Sequence, residues 1–261
     1  MPRMTGRGSD TRGSPTALLN GLRVLEAFSI ADPVLGVTEI ARRVDLHKST
    51  VSRILATLGQ AGYVERVVET GRFRLGLGVI ALAGPLLADL EVRRVAHLAL
   101  EQLAGRTGET AALVVWDGAG SVIVEQVPSP REVKHTANIG TRYETYESAS
   151  VQIFAAQLPA SEVERLLERR VLVGAYDPAA LAAYAERLAD VRRLGYSIND
   201  GLTSLEEVGI AAPVLDHRGV MVAGVLLSAP RFRVPPTMLA PLAQSVVDAA
   251  HEVSARLGYR P

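Results

Sequence analysis

The stretch KSTVSRILAT, residues 48–57, carries the side chains of this chain best suited to chemistry on a large charged partner. Val51, Ile54, Leu55 and Leu58 recur at the i, i+3, i+4 and i+7 spacing of one helix face. Lys48, Ser49, Thr50, Ser52, Arg53 and Thr57 are left on the other. Short hydroxyl side chains with two cations and no carboxylate suit a helix lying between phosphates and base edges. Arg53 can clamp a phosphate or hold a guanine bidentately. Lys48, Ser49 and Thr50 open the helix, where backbone amides also attract phosphate. Arg72, directly after a turn at Glu69-Thr70-Gly71, is placed to reach the backbone or minor groove of the same partner.

A polar helix face alone is ordinarily just solvated, so its neighbours decide the reading. A first helix is expected to start on Ser14-Pro15 as cap and first residue and to end near Asp32-Pro33, with Leu18, Leu22, Leu25 and Phe28 inward. A short second helix starts around Thr38, read as its cap and counted with the DNA-facing set, and buries Ile40, Ala41 and Val44. Asp45-Leu46 form a tight turn, and the helix over 47–60 stops at Gly62. The runs YVERVV and RFRL, joined by Glu69-Thr70-Gly71, then read as a hairpin. Two short helices, a tight turn and a hairpin form a winged helix-turn-helix whose last helix can enter a DNA major groove.

The remainder changes character. GLGVIALAGPLLADL is an apolar helix that Gly84-Pro85 should kink or restart, and residues 91–106 form another amphipathic helix. TAALVVWD, SVIVEQV and EVKHTAN read as a β-meander, with Trp116 in it as a core or interface residue, like Tyr196 further on. Helices follow around 148–157, 161–169 and 178–194, then the short strand GYSIN. VGIAAPVLD and VMVAGVLLS make a last hairpin around His217-Arg218-Gly219, and a helix over 236–257 closes the chain. Strands and helices without βαβ alternation give an α+β class with an antiparallel sheet flanked by helices. The expected division is a disordered tail over 1–13, the DNA-binding domain over 14–76, a linker and dimerisation helix over 77–90, and a second domain over 91–261.

Catalysis finds little support. The chain of 261 residues has no cysteine, which excludes a disulfide scaffold and thiolate metal sites and suits a reducing cytoplasm. No phosphate loop, dinucleotide fingerprint or G-x-S-x-G elbow occurs. His97 and Glu101 sit one helical turn apart, but no third metal ligand accompanies them, so they read as a solvated or interface pair. Glu206 and Glu207 read as solvated, and Ser148, Ser150 and Ser228 lack a base. No cofactor, metal or catalytic residue is expected. The polar, basic N-terminus has no apolar core of a signal, and no stretch is long enough to span a bilayer, so a cytoplasmic protein without membrane partners is expected. Lys/Arg and Asp/Glu balance at 28 each, yet residues 1–80 hold 11 against 7 and residues 81–261 hold 17 against 21.

EIARRVDLHKSTVSRILATLGQAGYVER and ETGRFRLG closely resemble the DNA-binding domain of the IclR (isocitrate lyase regulator) family. The likeness continues through LEVRRVAHLALEQLAGRTGET, VIVEQV, RRLGYSIND, GIAAPVLDHRG and GVLLSAP, over roughly residues 14–257. The resemblance implies a GAF-like effector domain, a homodimer or dimer of dimers, and a palindromic operator in double-stranded DNA. It also implies pocket positions at Ala149, Ser150, Asn199, Gly209, Leu226 and Ser228. Where the family has glycine at the turn and proline at the start of the recognition helix, this chain has Asp45 and His47. Where it has His-Ala-Ser/Thr-x-x-Gly-Lys-Ala, this chain has YESASVQI over 146–153, with Val151-Gln152 for the Gly-Lys pair. The neutral and apolar set points to a carboxylic acid with apolar or aromatic surface as effector. A regulator that binds DNA without responding to any small molecule stays open as the alternative.

Overall fold

The computed structural model describes residues 15–29, 31–89, 91–135 and 138–260. The tail over 1–13 and the Ser14 cap lie outside the described residues. The chain forms two compact units, which meet in sequence between residues 89 and 90.

In the first unit, helices α1 (Pro15–Glu26), α2 (Val37–Val44) and α3 (Lys48–Gln60) are followed by strands β1 (Val64–Arg66) and β2 (Phe73–Leu75) and helix α4 (Gly78–Asp89). Val24, Leu35, Ile40, Val51, Leu55 and Val64 share one buried cluster. Each such aliphatic side chain contributes roughly 1.5–3 kcal/mol of burial, enough to hold a short trihelical unit. β1 and β2 pair antiparallel from Val64–Leu75 to Arg66–Phe73, and Leu35 bridges to Phe73, so the hairpin is tied back to the helices.

Three expectations change here. α2 is capped not by Thr38 but by Gly36, whose amide donates to the Glu39 carboxylate at 2.7 Å. An acidic side chain three residues in satisfies the open amide, and Thr38 falls inside the first turn. α1 ends at Glu26, well before Asp32-Pro33, and Ser29 caps the loop by accepting the Asp32 amide at 3.1 Å. α4 does not restart at Gly84-Pro85 but continues through the pair; proline fixes a φ that a helix can use, and one missing donor does not end it. The turn between α2 and α3 places Asp45 at φ 52°, the left-handed conformation that aspartate tolerates.

The second unit holds helices α5 (Glu91–Thr107), α6 (Ala149–Ala155), α7 (Ala160–Glu168), α8 (Pro178–Leu194) and α9 (Pro236–Arg256). Its strands are β3 (Thr110–Trp116), β4 (Ser121–Val127), β5 (Arg142–Tyr143), β6 (Ser197–Asp200), β7 (Glu207–Leu215) and β8 (Met221–Pro230). They form one antiparallel sheet in the order β5-β4-β3-β8-β7-β6. Period-two alternation divides the strands between two cores. Leu113, Ile210, Val225 and Leu227 pack with Leu100, Leu103, Val246 and Val253 of α5 and α9. Ala112, Val114, Ala211 and Leu226 pack with Ile153, Tyr184 and Leu188 of α6 and α8.

EVKHTAN is not a strand in its described residues, and the meander's third partner is instead β5. Local contacts hold this loop. The Thr110 hydroxyl donates to the His135 carbonyl at 3.0 Å and accepts the Ser129 amide at 3.1 Å, while Lys134 Nζ donates to the Ser129 carbonyl at 3.2 Å. Backbone groups satisfied in this way have no need of a sheet partner.

Candidate DNA-binding face and effector site

α3 turns Val51 and Leu55 into the core and leaves Lys48, Ser49, Ser52, Arg53 and Thr57 exposed, with Thr50 half-buried. Neither Lys48 nor Arg53 has a carboxylate within ion-pair distance among the described residues, so both charges are available to an anion. His47 stands at the N-cap, where Nδ1 accepts the Ser49 amide at 3.3 Å and lies 2.8 Å from Ser49 Oγ. Sequence reasoning placed the helix start at His47 but missed this cap, because histidine is not among the usual capping residues. Thr38 is exposed on α2.

The arginines of the hairpin are engaged within the unit. Arg72 pairs with Glu39, Arg74 with Glu65 at 2.8 Å, and Arg66 Nε donates to the Gly71 carbonyl at 3.4 Å. Arg72 is therefore a brace between wing and helix, with less reach than its position past the turn suggested. Lys48 and Arg53 of α3, like the exposed Arg42 of α2, have no such partner among the described residues.

In the second unit the register lines up one polar row across four strands. Asn199 of β6 pairs with Gly209 of β7, Gly209 with Ser228 of β8, and Ser228 with Thr110 of β3. The adjoining row runs Ser197, Ala211, Leu226 and Ala112. Ala149 closes over both: a Cβ built at Gly209 would lie 3.6 Å from Ala149 Cβ, 3.8 Å from Asn199 Cβ and 4.0 Å from Leu226 Cδ1. Ser150 follows on α6 and receives a hydrogen bond from Ser121 Oγ at 2.7 Å. Of the six sequence-derived pocket positions, Asn199, Gly209, Leu226 and Ser228 thus share one face of the sheet, Ala149 lies against them from the start of α6, Ser150 turns to Ser121 of β4, and all six are buried.

Their polar groups differ in availability. Asn199 Oδ1 accepts the amides of Leu202 and Thr203 at 2.8 and 3.3 Å, and its Nδ2 donates to the Thr203 hydroxyl at 2.5 Å. Its amide therefore builds the turn after β6. Ser228 Oγ, 3% exposed as a residue, has no hydrogen-bond partner among the described residues. Thr110, which sequence reasoning missed, belongs to the row and anchors the loop over residues 129–135. Only strand register reveals it, since a threonine in a strand is otherwise unremarked.

The altered segment over 146–153 is a packing change. The Tyr146 hydroxyl donates to the Ala175 carbonyl at 2.7 Å and its ring lies on Gly174, where a Cβ would come within 2.0 Å of Cε1. Ile153 Cδ1 occupies the space that a Cβ at Gly224 would need. Gln152 Nε2 donates to the Glu147 carbonyl at 2.7 Å, closing the loop ahead of α6. His97, in α5, lies 3.4 Å from Glu101 and 3.6 Å from Glu125, inside a surface charge network. Among the described residues no group of three potential ligands could hold a metal, and no helix is long and apolar enough to cross a membrane.

The sequence matches two family models, "IclR helix-turn-helix domain" over residues 17–68 and "Bacterial transcriptional regulator IclR C-terminal" over residues 85–255. It is 29% identical over 251 residues to the transcriptional repressor IclR of Escherichia coli (strain K12), covering 94% of this chain and 91% of that one. A solved structure of an IclR-family regulator's targeted domain is 47% identical, with a TM-score of 0.63 over 65% of this chain and 98% of that one. The fold is also similar to an IclR homolog from Microbacterium hydrocarbonoxydans complexed with 4-hydroxybenzoate, at 25% identity and TM-score 0.77. That match covers 92% of this chain and 98% of that one.

Proposed function

This chain belongs to the IclR family of DNA-binding transcriptional regulators, and on that premise we propose that a small organic acid, bound on the Asn199–Gly209–Ser228–Thr110 row, changes its hold on operator DNA. Lys48, Ser49, Thr50, Ser52 and Arg53 of α3 contact the phosphates and base edges, with Thr38 and the braced Arg72 at the margin of the same face. Two protomers read a palindrome with recognition helices in successive major grooves, about 34–36 Å apart. Exposed Leu77, just before α4, and Ile80 and Leu82 on it supply apolar surface for such a homodimer or dimer of dimers in the cytoplasm.

The observation that carries the effector reading is Ser228. Its hydroxyl makes no hydrogen bond with any described residue and so is open to a ligand, and it lies between Gly209 and Thr110, beside Leu226 and below Ala149. A ligand offering an acceptor to Ser228 and an apolar surface to Leu226, Ala211 and Ala112 satisfies both. A carboxylic acid with an aromatic or extended apolar body fits that description, and a very small oxoacid leaves the apolar wall uncovered.

Calorimetric titration of the purified protein with benzoate, 4-hydroxybenzoate, pyruvate and glyoxylate tests this. The aromatic acids bind saturably, Ser228→Val weakens them at least several-fold, and the oxoacids bind weakly. Tight binding of glyoxylate or pyruvate with none of the aromatic acids would overturn the reading.

A further inference from the structure

Beside the proposed effector row stands a second polar group that the family pocket positions do not include. Glu207 lies two residues before Gly209 on β7, on the same sheet face, and pairs with Pro230 two residues beyond Ser228. Its Oε1 is 3.4 Å from His135 Nδ1, and His135 Nε2 is 3.4 Å from the Tyr143 hydroxyl. The three residues come from β7, the loop after β4, and β5, and the backbone of that loop is fastened to the row itself through Thr110 and the His135 carbonyl. Glu207 Oε2 accepts no hydrogen bond from any described residue. A cavity of about 940 Å³ opens beside the group, with Lys134, His135, Asp200, Glu207, Arg231 and Phe232 among its walls. Of the other charges there, Arg231 is paired with Asp200 at 2.6 Å and Lys134 Nζ donates to the Ser129 carbonyl.

We infer that Glu207, oriented by His135, is a specificity-determining residue that reads a hydroxyl at the far end of the effector from its carboxylate. The inference rests on the effector reading above. The Ser228 and Glu207 positions are diagonal neighbours across β8 and β7, about 7–8 Å apart, close to the length of a para-substituted benzene ring. The electrostatics set the direction. A carboxylate placed beside Glu207 would face a like charge, so it lies toward Ser228 and α6, and the group at Glu207 is a donor. His135 lies against one oxygen of Glu207 and against the Tyr143 hydroxyl, which leaves the other oxygen without a partner among the described residues.

Three probes separate the possibilities: benzoate, 4-hydroxybenzoate and terephthalate, titrated calorimetrically into the full chain. The wild-type protein should bind 4-hydroxybenzoate several-fold more tightly than benzoate, because a hydrogen bond to a half-buried charged acceptor is stronger than one between neutral groups. Terephthalate should bind more weakly than benzoate. Glu207→Met should bring 4-hydroxybenzoate and benzoate to equal affinity while benzoate binding itself stays within about twofold, which also reports that the site is folded. Glu207→Gln should keep part of the preference and admit terephthalate. Equal binding of the two monoacids by wild type, or an unchanged ratio in Glu207→Met, overturns this inference and leaves the effector site standing. Failure of all three acids to bind wild type overturns the aromatic-acid reading, and this inference with it.

Discussion

Arg72 in the wing and Glu39 in the first turn of α2 form an ion pair, and the same Glu39 carboxylate accepts the Gly36 amide. One carboxylate thus caps a helix and fastens a hairpin 33 residues away. The Gly36 amide, together with the charge and hydrogen bond of Arg72, holds the Glu39 carboxyl below its usual pKa. A group with a depressed folded pKa stabilises above its unfolded value, about 4.3, and that contribution is lost as pH falls through the folded value. Glu39→Gln should therefore lower the thermal midpoint at neutral pH, and the gap from wild type should close below about pH 4. Parallel curves across the acid range would show that the pair contributes nothing.

On α3 the exposed, unpaired Arg53 is expected to dominate recognition. Arg53→Ala should weaken binding to a selected operator by roughly tenfold or more, and relax preference at one position if the contact is to a guanine. Lys48→Ala should weaken all sequences alike and reduce the salt slope by about one. Both variants should unfold within about 0.5 kcal/mol of wild type. Anisotropy titrations at several salt concentrations measure all of this, and wild-type affinity in Arg53→Ala would place the recognition surface elsewhere.

Gly174 and Tyr146 are shaped to one another. Gly174→Ala should destabilise by roughly 1–3 kcal/mol through overpacking. In a Tyr146→Ala background the same change should cost much less, since contacting positions are not additive. A full additive loss in the double variant, read from denaturant midpoints, would show that Tyr146 is not what Gly174 makes room for.

Glu109, 3% exposed, holds Arg233 at 2.8 and 2.7 Å and Arg131 at 3.2 Å, joining the start of β3 to the turn after β8. Hydrogen bonding to Glu109 raises the Arg233 pKa further still, so this pair stays charged. Glu109→Ala should cost about 3 kcal/mol, because breaking a buried pair strands its partners. A loss below 1 kcal/mol in chemical unfolding would mean that water replaces the carboxylate freely.

Periodicity made α3, α8 and α9 legible to within a residue or two, since apolar spacing is the direct imprint of one buried face. The caps were less so: Thr38 looked like the capping type, but the carboxylate of Glu39 does that work from inside the helix. EVKHTAN alternates like a strand, and only the hydrogen bonds of Thr110 and Ser129 show why it is a loop. The effector positions came from family resemblance, and strand register then brought the four on the sheet together beneath α6. Register also added Thr110 and turned Glu207, read as solvated, into a partner of His135. Asn199, a pocket position implied by the resemblance, engages its amide in the turn at Leu202 and Thr203, which no local pattern shows. Pairing across strands is a long-range property, and a local pattern does not contain it.

The most direct test is the affinity of the full chain for an operator selected from random DNA, measured at fixed salt with and without saturating 4-hydroxybenzoate. The account predicts sequence-specific binding whose affinity the acid shifts by roughly 5- to 150-fold, with Ser228→Val binding unliganded DNA normally but losing the shift. Specific DNA binding left unchanged while calorimetry shows the acid bound would contradict the coupling at the centre of this account.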